Sequence, residues 1–130
     1  MKSKVVLMTC DTYDETLIYE KLQKGIEMLG GLSQFAALTE SILLKPNLVR
    51  KAEVDQAVMT HPAVMGAAAR IFSEAGFKDI RCGDSCGIGT TKRVMAGSGM
   101  DTALEKYGVS IRAFGQNILF CRMKSLRQMR

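Results

Sequence analysis

A chain of 130 residues is long enough for one packed domain and short for two. Hydrophobic residues make up 47% and charged residues 24%, which excludes an intrinsically disordered chain, and no apolar run approaches the ~18 residues of a membrane span. The net charge of +5 resides in Arg112, Arg122, Lys124, Arg127 and Arg130, so the body of the chain is neutral and lacks the basic stripe of a nucleic-acid binder. With three Tyr, five Phe and no Trp, single-stranded nucleic acid also has no evident stacking platform.

Lys4–Cys10 (KVVLMTC) is a short, nearly continuous apolar run rich in β-branched residues. It reads as a strand buried on both faces of a parallel sheet, and as the central one. Thr12 and Glu15 have capping-box spacing ahead of Leu17, Leu22, Ile26 and Leu29, a helical stripe that Gly30 and Gly31 stop. After a helical or loop piece over residues 32–38, Ser41–Leu44 reads as a second strand, ended by Lys45 and Pro46. Pro62 suits a first helical turn, with Val64, Ala67, Ala68, Ile71 and Phe72 on one face and Gly76 as the stop.

Asp79–Cys82 is a third short strand, broken by the glycine-rich run Gly83–Gly89. A helical region follows over residues 91–107, interrupted at Gly97–Gly99 and capped in its second part by Asp101. Val109, Ile111 and Ala113 alternate with polar or bulky neighbours as in an edge strand. Strands alternating with helices predict an α/β fold with an open, mainly parallel sheet of about four strands and helices on both faces, in Rossmann-like layering. Residues 1–114 form that single domain, and residues 115–130 form a basic tail. Ile118–Cys121 in the tail is apolar enough for an extra strand, hairpinned through Gly115–Asn117 or buried against a second subunit to make a homo-oligomer.

In such sheets ligands bind at the carboxyl ends of the strands. Lys45 and Asn47 follow the second strand there, Thr60 and His61 open the second helix, and Gly83, Asp84, Ser85, Gly87 and Gly89 follow the third strand. Lys45 and Asn47 offer a cation and an amide to a carboxylate or phosphate; the plainer alternative is a solvated lysine beside a Pro-Asn turn. His61 is the only histidine. At a helix N-terminus its ring stays neutral, available as a base or ligand or serving only as a cap. The glycine run turns backbone N–H groups toward an anion, or it is an ordinary strand-to-helix turn. It contains G-x-G but has Lys92 where a dinucleotide fingerprint has its last glycine, and no GK[ST]. Asp84 repels an anion there unless Lys45 or a metal intervenes.

The partner expected from these residues is a small anionic molecule or a nucleotide, with no nucleic acid and no membrane. His61 and Asp84 are the candidates for handling protons, although no reaction, and so no enzyme class, is readable. The 48–60 connection is long for an α/β unit and has the length of a binding loop or lid. Cys10, Cys82, Cys86 and Cys121 form no CxxC pair and no zinc or iron-sulfur ligand pattern, so no metal site is assigned and the cofactor is left unknown. Free buried thiols and a short N-terminal apolar run point to a reducing cytoplasm. The nine methionines read as core filler.

Val5–Cys10, Gly30–Gly31, Leu43–Leu48 (LLKPNL), Thr60–Val64 (THPAV), Glu74–Gly76 and Gly83–Ser85 (GDS), in that order and spacing, resemble the family called domain of unknown function 362 over residues 4–114. The resemblance implies an uncharacterised α/β domain that in many members is fused to a ferredoxin-like iron-sulfur module. That gives an alternative reading, a non-catalytic structural or redox-partner domain. The cysteine pattern of such a module is lacking, so no cluster carries over. The family domain is longer than this chain and residues 115–130 depart from its pattern, which implies a truncated continuation.

Overall fold

The computed structural model describes residues 3–114. Four helices and three strands alternate: α1 (Glu15–Met28), β1 (Ile42–Leu44), α2 (Pro62–Glu74), β2 (Ile80–Cys82), α3 (Thr91–Ser98), α4 (Met100–Glu105) and β3 (Ser110–Ile111). Single 3-10 turns lie at Leu32–Gln34 and Val54–Gln56. The sheet is parallel throughout, in the order β1-β2-β3, with Ile42 opposite Ile80, Leu44 opposite Cys82, and Cys82 opposite Ile111. The fold is therefore α/β with an open parallel sheet, of three strands where about four were expected.

The missing strand is the N-terminal one. Residues 4–10 join no ladder, and among the described residues no backbone hydrogen bond ties them to another segment. A strand needs a neighbour for its N–H and C=O groups, which apolar alternation alone does not supply. The segment instead lies along α1, where Gly25 leaves room for Met8; Val5 and Leu7, facing away, are 86% and 94% exposed. The central strand is β2, not this segment.

Two expected caps are also corrected. Asp14, not Thr12, caps α1, accepting from Leu17 N–H at 2.8 Å. A carboxylate is the stronger acceptor at that end of the helix dipole, and Glu15 is engaged elsewhere. Its carboxylate takes the Lys106 ammonium at 2.8 Å and the Tyr107 hydroxyl at 2.7 Å. Burial alone would raise the Glu15 pKa, but these two partners outweigh it and hold the group below its ordinary range. Gly99, at φ 73°, both ends α3 and starts α4, while Asp101 sits inside α4 and accepts from Thr102 N–H.

Ile42, Leu44, Ile80 and Cys82 share one face of the sheet and form one buried cluster with Met65 and Ala69 of α2, Val94 and Met95 of α3, and Met100 and Leu104 of α4. α1 packs on α2. On the other face Leu43, Arg81 and Ser110 follow one another across the three strands, and Leu43 is half exposed. The buried-exposed alternation of β1 continues past the strand: Pro46 and Leu48 are buried, Lys45, Asn47 and Val49 exposed. Among the described residues no helix is long and apolar enough to cross a membrane. The tail expectations, including the Ile118–Cys121 strand, lie outside the described residues.

Candidate functional site

Because β1 and β2 run parallel, the segments that follow them emerge side by side at one edge. Gly83 N–H donates to Leu44 O at 3.1 Å and Ile88 N–H donates to Val49 O at 3.1 Å, which fasten the glycine run against residues 44–49. Asp84 is the hub of this junction. Its Oδ1 lies 2.8 Å from Lys45 Nζ, its Oδ2 accepts from Leu48 N–H at 3.1 Å, and its carbonyl accepts from the Thr91 hydroxyl at 2.8 Å.

The two ion-pair partners differ in setting, since the Lys45 side chain is 66% exposed and that of Asp84 only 9%. Burial pushes the Asp84 carboxyl upward, but Lys45 and the N–H groups of Leu48 and Ser85 outweigh it, so the group lies below the ordinary carboxylate range. Asp84 is thus an anion whose charge is balanced by the Lys45 ammonium.

The glycines serve this packing in different ways. A Cβ at Gly83 would overlap the carbonyl oxygen of Arg112, where the chain leaves β3, and one at Gly87 would stand 3.1 Å from Val49 O. Ser85, Gly87 and Gly89 are exposed, and Gly89 has φ 98°. Thr90, not a glycine, caps α3, accepting from Arg93 N–H at 3.4 Å.

A second junction closes the long connection at its base. Asn47 N–H donates to Thr60 Oγ1 at 2.8 Å, and Thr60 N–H donates to Asn47 O at 3.1 Å. His61 then caps α2, its Nδ1 accepting from Ala63 N–H at 3.1 Å, so the neutral ring carries its proton on Nε2. Burial lowers the pKa of this imidazole. The ring stacks on Tyr13 with centroids 3.8 Å apart and planes 9° apart. Tyr13 and His61 line an open groove of about 660 Å³ with Val54, Asp55, Met59 and Thr60.

The structure therefore brings Lys45, Gly83 and Asp84 together, and separately joins Asn47 to Thr60 and His61 to Tyr13. Neither Lys45 nor any residue of the glycine run lines the His61 groove. Sequence reasoning missed Tyr13 and Asp55; Tyr13 follows the apparent cap Thr12, and nothing in its neighbours signals a ring stacked on a residue 48 positions later. Cys82 is buried, and burial pushes its thiol up to about 12, the setting of an inert core cysteine. Among the described residues no group of three or more His, Cys, Asp or Glu side chains is placed to hold a metal ion.

The open parallel sheet with its polar carboxyl edge defines an α/β domain. Residues 42–124 match the family described as a domain of unknown function (DUF362). The chain belongs to that family. The matched stretch begins at β1 and takes in both Lys45 and the glycine run. The chain is also 30% identical over 114 residues, 88% of its length, to the thylakoid-associated protein sll1697 of Synechocystis sp., of which it spans 35%. No solved structure matches it.

Proposed function

We propose that this chain binds an anionic small molecule or nucleotide at the carboxyl edge of the sheet, with Lys45 as the charged contact. The observation that carries the reading is the Lys45 ammonium itself, tethered at 2.8 Å to a buried carboxylate while its side chain stays 66% exposed. An ammonium has three N–H donors, so one held by Asp84 leaves two for a ligand oxygen. The tether also removes part of the entropy cost of fixing a long side chain on binding. Ser85, Gly87 and Gly89, exposed along the glycine run that follows Asp84, are the uncharged groups offered to the rest of the ligand. A reducing cytoplasm suits the free thiols of Cys10, Cys82 and Cys86.

Calorimetric titration with inorganic phosphate and with ATP tests this. Lys45→Ala is expected to weaken binding by about 1.5 to 3 kcal/mol, the scale of a charged hydrogen bond, while Lys24→Ala, an exposed cation of α1, leaves it unchanged. Equal losses from both variants would mean diffuse electrostatics and end the reading. A second reading, a non-catalytic structural or redox-partner domain, is favoured by one observation: Gly83 and Gly87 are accounted for by backbone packing alone. Absence of anion binding at millimolar concentration would leave that reading in its place.

A further inference from the structure

We propose that the groove beside the stacked Tyr13 and His61 is a base subsite, taking the planar ring of a nucleotide whose phosphate lies on Lys45. This rests on the anion reading for the phosphate end and narrows it to nucleotides, while the ring end has its own support. Tyr13 is an aromatic residue left 62% exposed. The His61 ring covers one of its faces at 3.8 Å, and the rest of the tyrosine borders two grooves, the one shared with His61 and a neighbouring one walled by Val6, Leu7 and Ile18. A tyrosine held flat by a neighbouring ring is a preorganised stacking surface, and the bases are ligands whose large apolar faces need one.

The groove fits such a ring in size and chemistry. Its volume of about 660 Å³ lies within the range usual for small-molecule sites. Val54 and Met59 supply apolar wall, and Asp55 supplies a carboxylate that accepts from an exocyclic amino group. His61 is locked as a hydrogen-bond donor at Nε2 by the cap it makes with Nδ1. The wall formed by the Val54–Gln56 turn ends at Ala57, the one described non-glycine residue with positive φ, at 50°. Such a backbone is held there by its surroundings rather than by its own preference.

Charge sets the direction of the ligand. Asp55 repels phosphate, so the phosphate end points away from it. The paired bonds between Asn47 and Thr60 tie the groove wall to a residue two positions from Lys45, which keeps both subsites on one edge of the domain. A nucleoside phosphate is the ligand class with a planar amino-bearing ring at one end and an anion at the other.

Titrations of the full chain with adenosine monophosphate, adenosine and ribose phosphate separate the two ends. Tyr13→Leu, a change at an exposed side chain, is expected to weaken adenosine monophosphate and adenosine by about fivefold or more, the lower end of what base stacking contributes, and to leave ribose phosphate unchanged. His61→Asn keeps a cap acceptor while removing the ring, and is expected to weaken the same two ligands. Lys45→Ala should instead weaken both phosphates and spare adenosine. Binding of adenosine without ribose phosphate would sustain the base subsite and overturn the phosphate assignment. Unaltered adenosine monophosphate binding in Tyr13→Leu, equal affinity for adenosine monophosphate and ribose phosphate, or no binding of either adenine compound would each overturn the base subsite.

Discussion

The ammonium of Lys45 and the carboxylate of Asp84 meet at 2.8 Å across the cleft between the chains leaving β1 and β2, one partner in solvent and the other in the interior. This asymmetry makes the two residues unequal. Asp84 holds the junction through Leu48 N–H and the Thr91 hydroxyl as well as through Lys45, whereas Lys45 contributes a single exposed contact.

Asp84→Ala is therefore expected to cost about 2 to 3 kcal/mol, because it strands the buried Leu48 N–H and removes the partner of Lys45, and Lys45→Ala about 1 kcal/mol or less, the scale of an exposed pair. Urea denaturation of both variants checks the order; a larger loss for Lys45→Ala would overturn it. The depressed pKa of Asp84 makes the unfolded state the better proton binder below the ordinary carboxyl range. Its contribution is present above about pH 4 and is lost as pH falls through the folded value. The Asp84→Ala variant should show a shallower decline in that window.

His61 offers a cleaner titration, since it is the only histidine in the chain. Its folded pKa lies below the ordinary value of 6.5 because burial disfavours the charged ring. The unfolded chain then takes up the proton first as pH falls. The associated stability is present above about pH 6.5 and declines below it, through the folded value. Melting temperatures measured from pH 7.5 to pH 5 in the wild type and His61→Asn should diverge in that interval, with the variant flatter. His61→Ala, lacking a cap acceptor, should lose about 1 kcal/mol above about pH 6.5, a deficit that narrows as the wild-type ring takes up its proton and ceases to accept from Ala63 N–H.

Glycine positions separate by what a methyl group would meet. At Gly83 the obstacle is the Arg112 carbonyl, a backbone atom, together with the Phe114 ring at 3.1 Å. Gly83→Ala is expected to destabilise by about 1 to 3 kcal/mol and to loosen β3. At Gly97, inside α3 and exposed, the obstacle is the flexible stem of Lys51, 2.7 Å from the added carbon. The lysine can swing away, so Gly97→Ala should be neutral or raise stability by up to about 1 kcal/mol through helix propensity. Thermal denaturation of the pair reads both signs, and like effects would show that local packing does not decide them.

The parts of this fold legible from sequence are those that carry their partners with them. Ser41–Leu44 and Asp79–Cys82 read as parallel strands because capped helices of crossover length lie between and after them, and they pair in parallel with Ile42 opposite Ile80, a register the structure alone supplies. From that topology alone Lys45 and Asp84 fall at one edge. Lys4–Cys10 carried an equal strand signal, but strand formation depends on a neighbour, and the segment lies on α1. The cap at Asp14 rather than Thr12 was settled by distant groups, Lys106 and Tyr107, which occupy Glu15. The Tyr13–His61 stack joins residues with no local pattern in common, so only the packing of the N-terminal segment near α2 reveals it.

The alternation that runs unbroken from Ile42 to Leu48 has a consequence for how this stretch can vary. Inside and outside are assigned there by parity: even positions enter the core, and odd positions, Lys45 and Asn47 among them, face out. Substitution at an odd position leaves that phase intact. Insertion or deletion of a single residue would invert it, driving the lysine toward the core and a leucine or proline into water. The length of this heptapeptide is accordingly under a stricter constraint than the identity of half its residues, and the position of the lysine is fixed by counting as much as by chemistry.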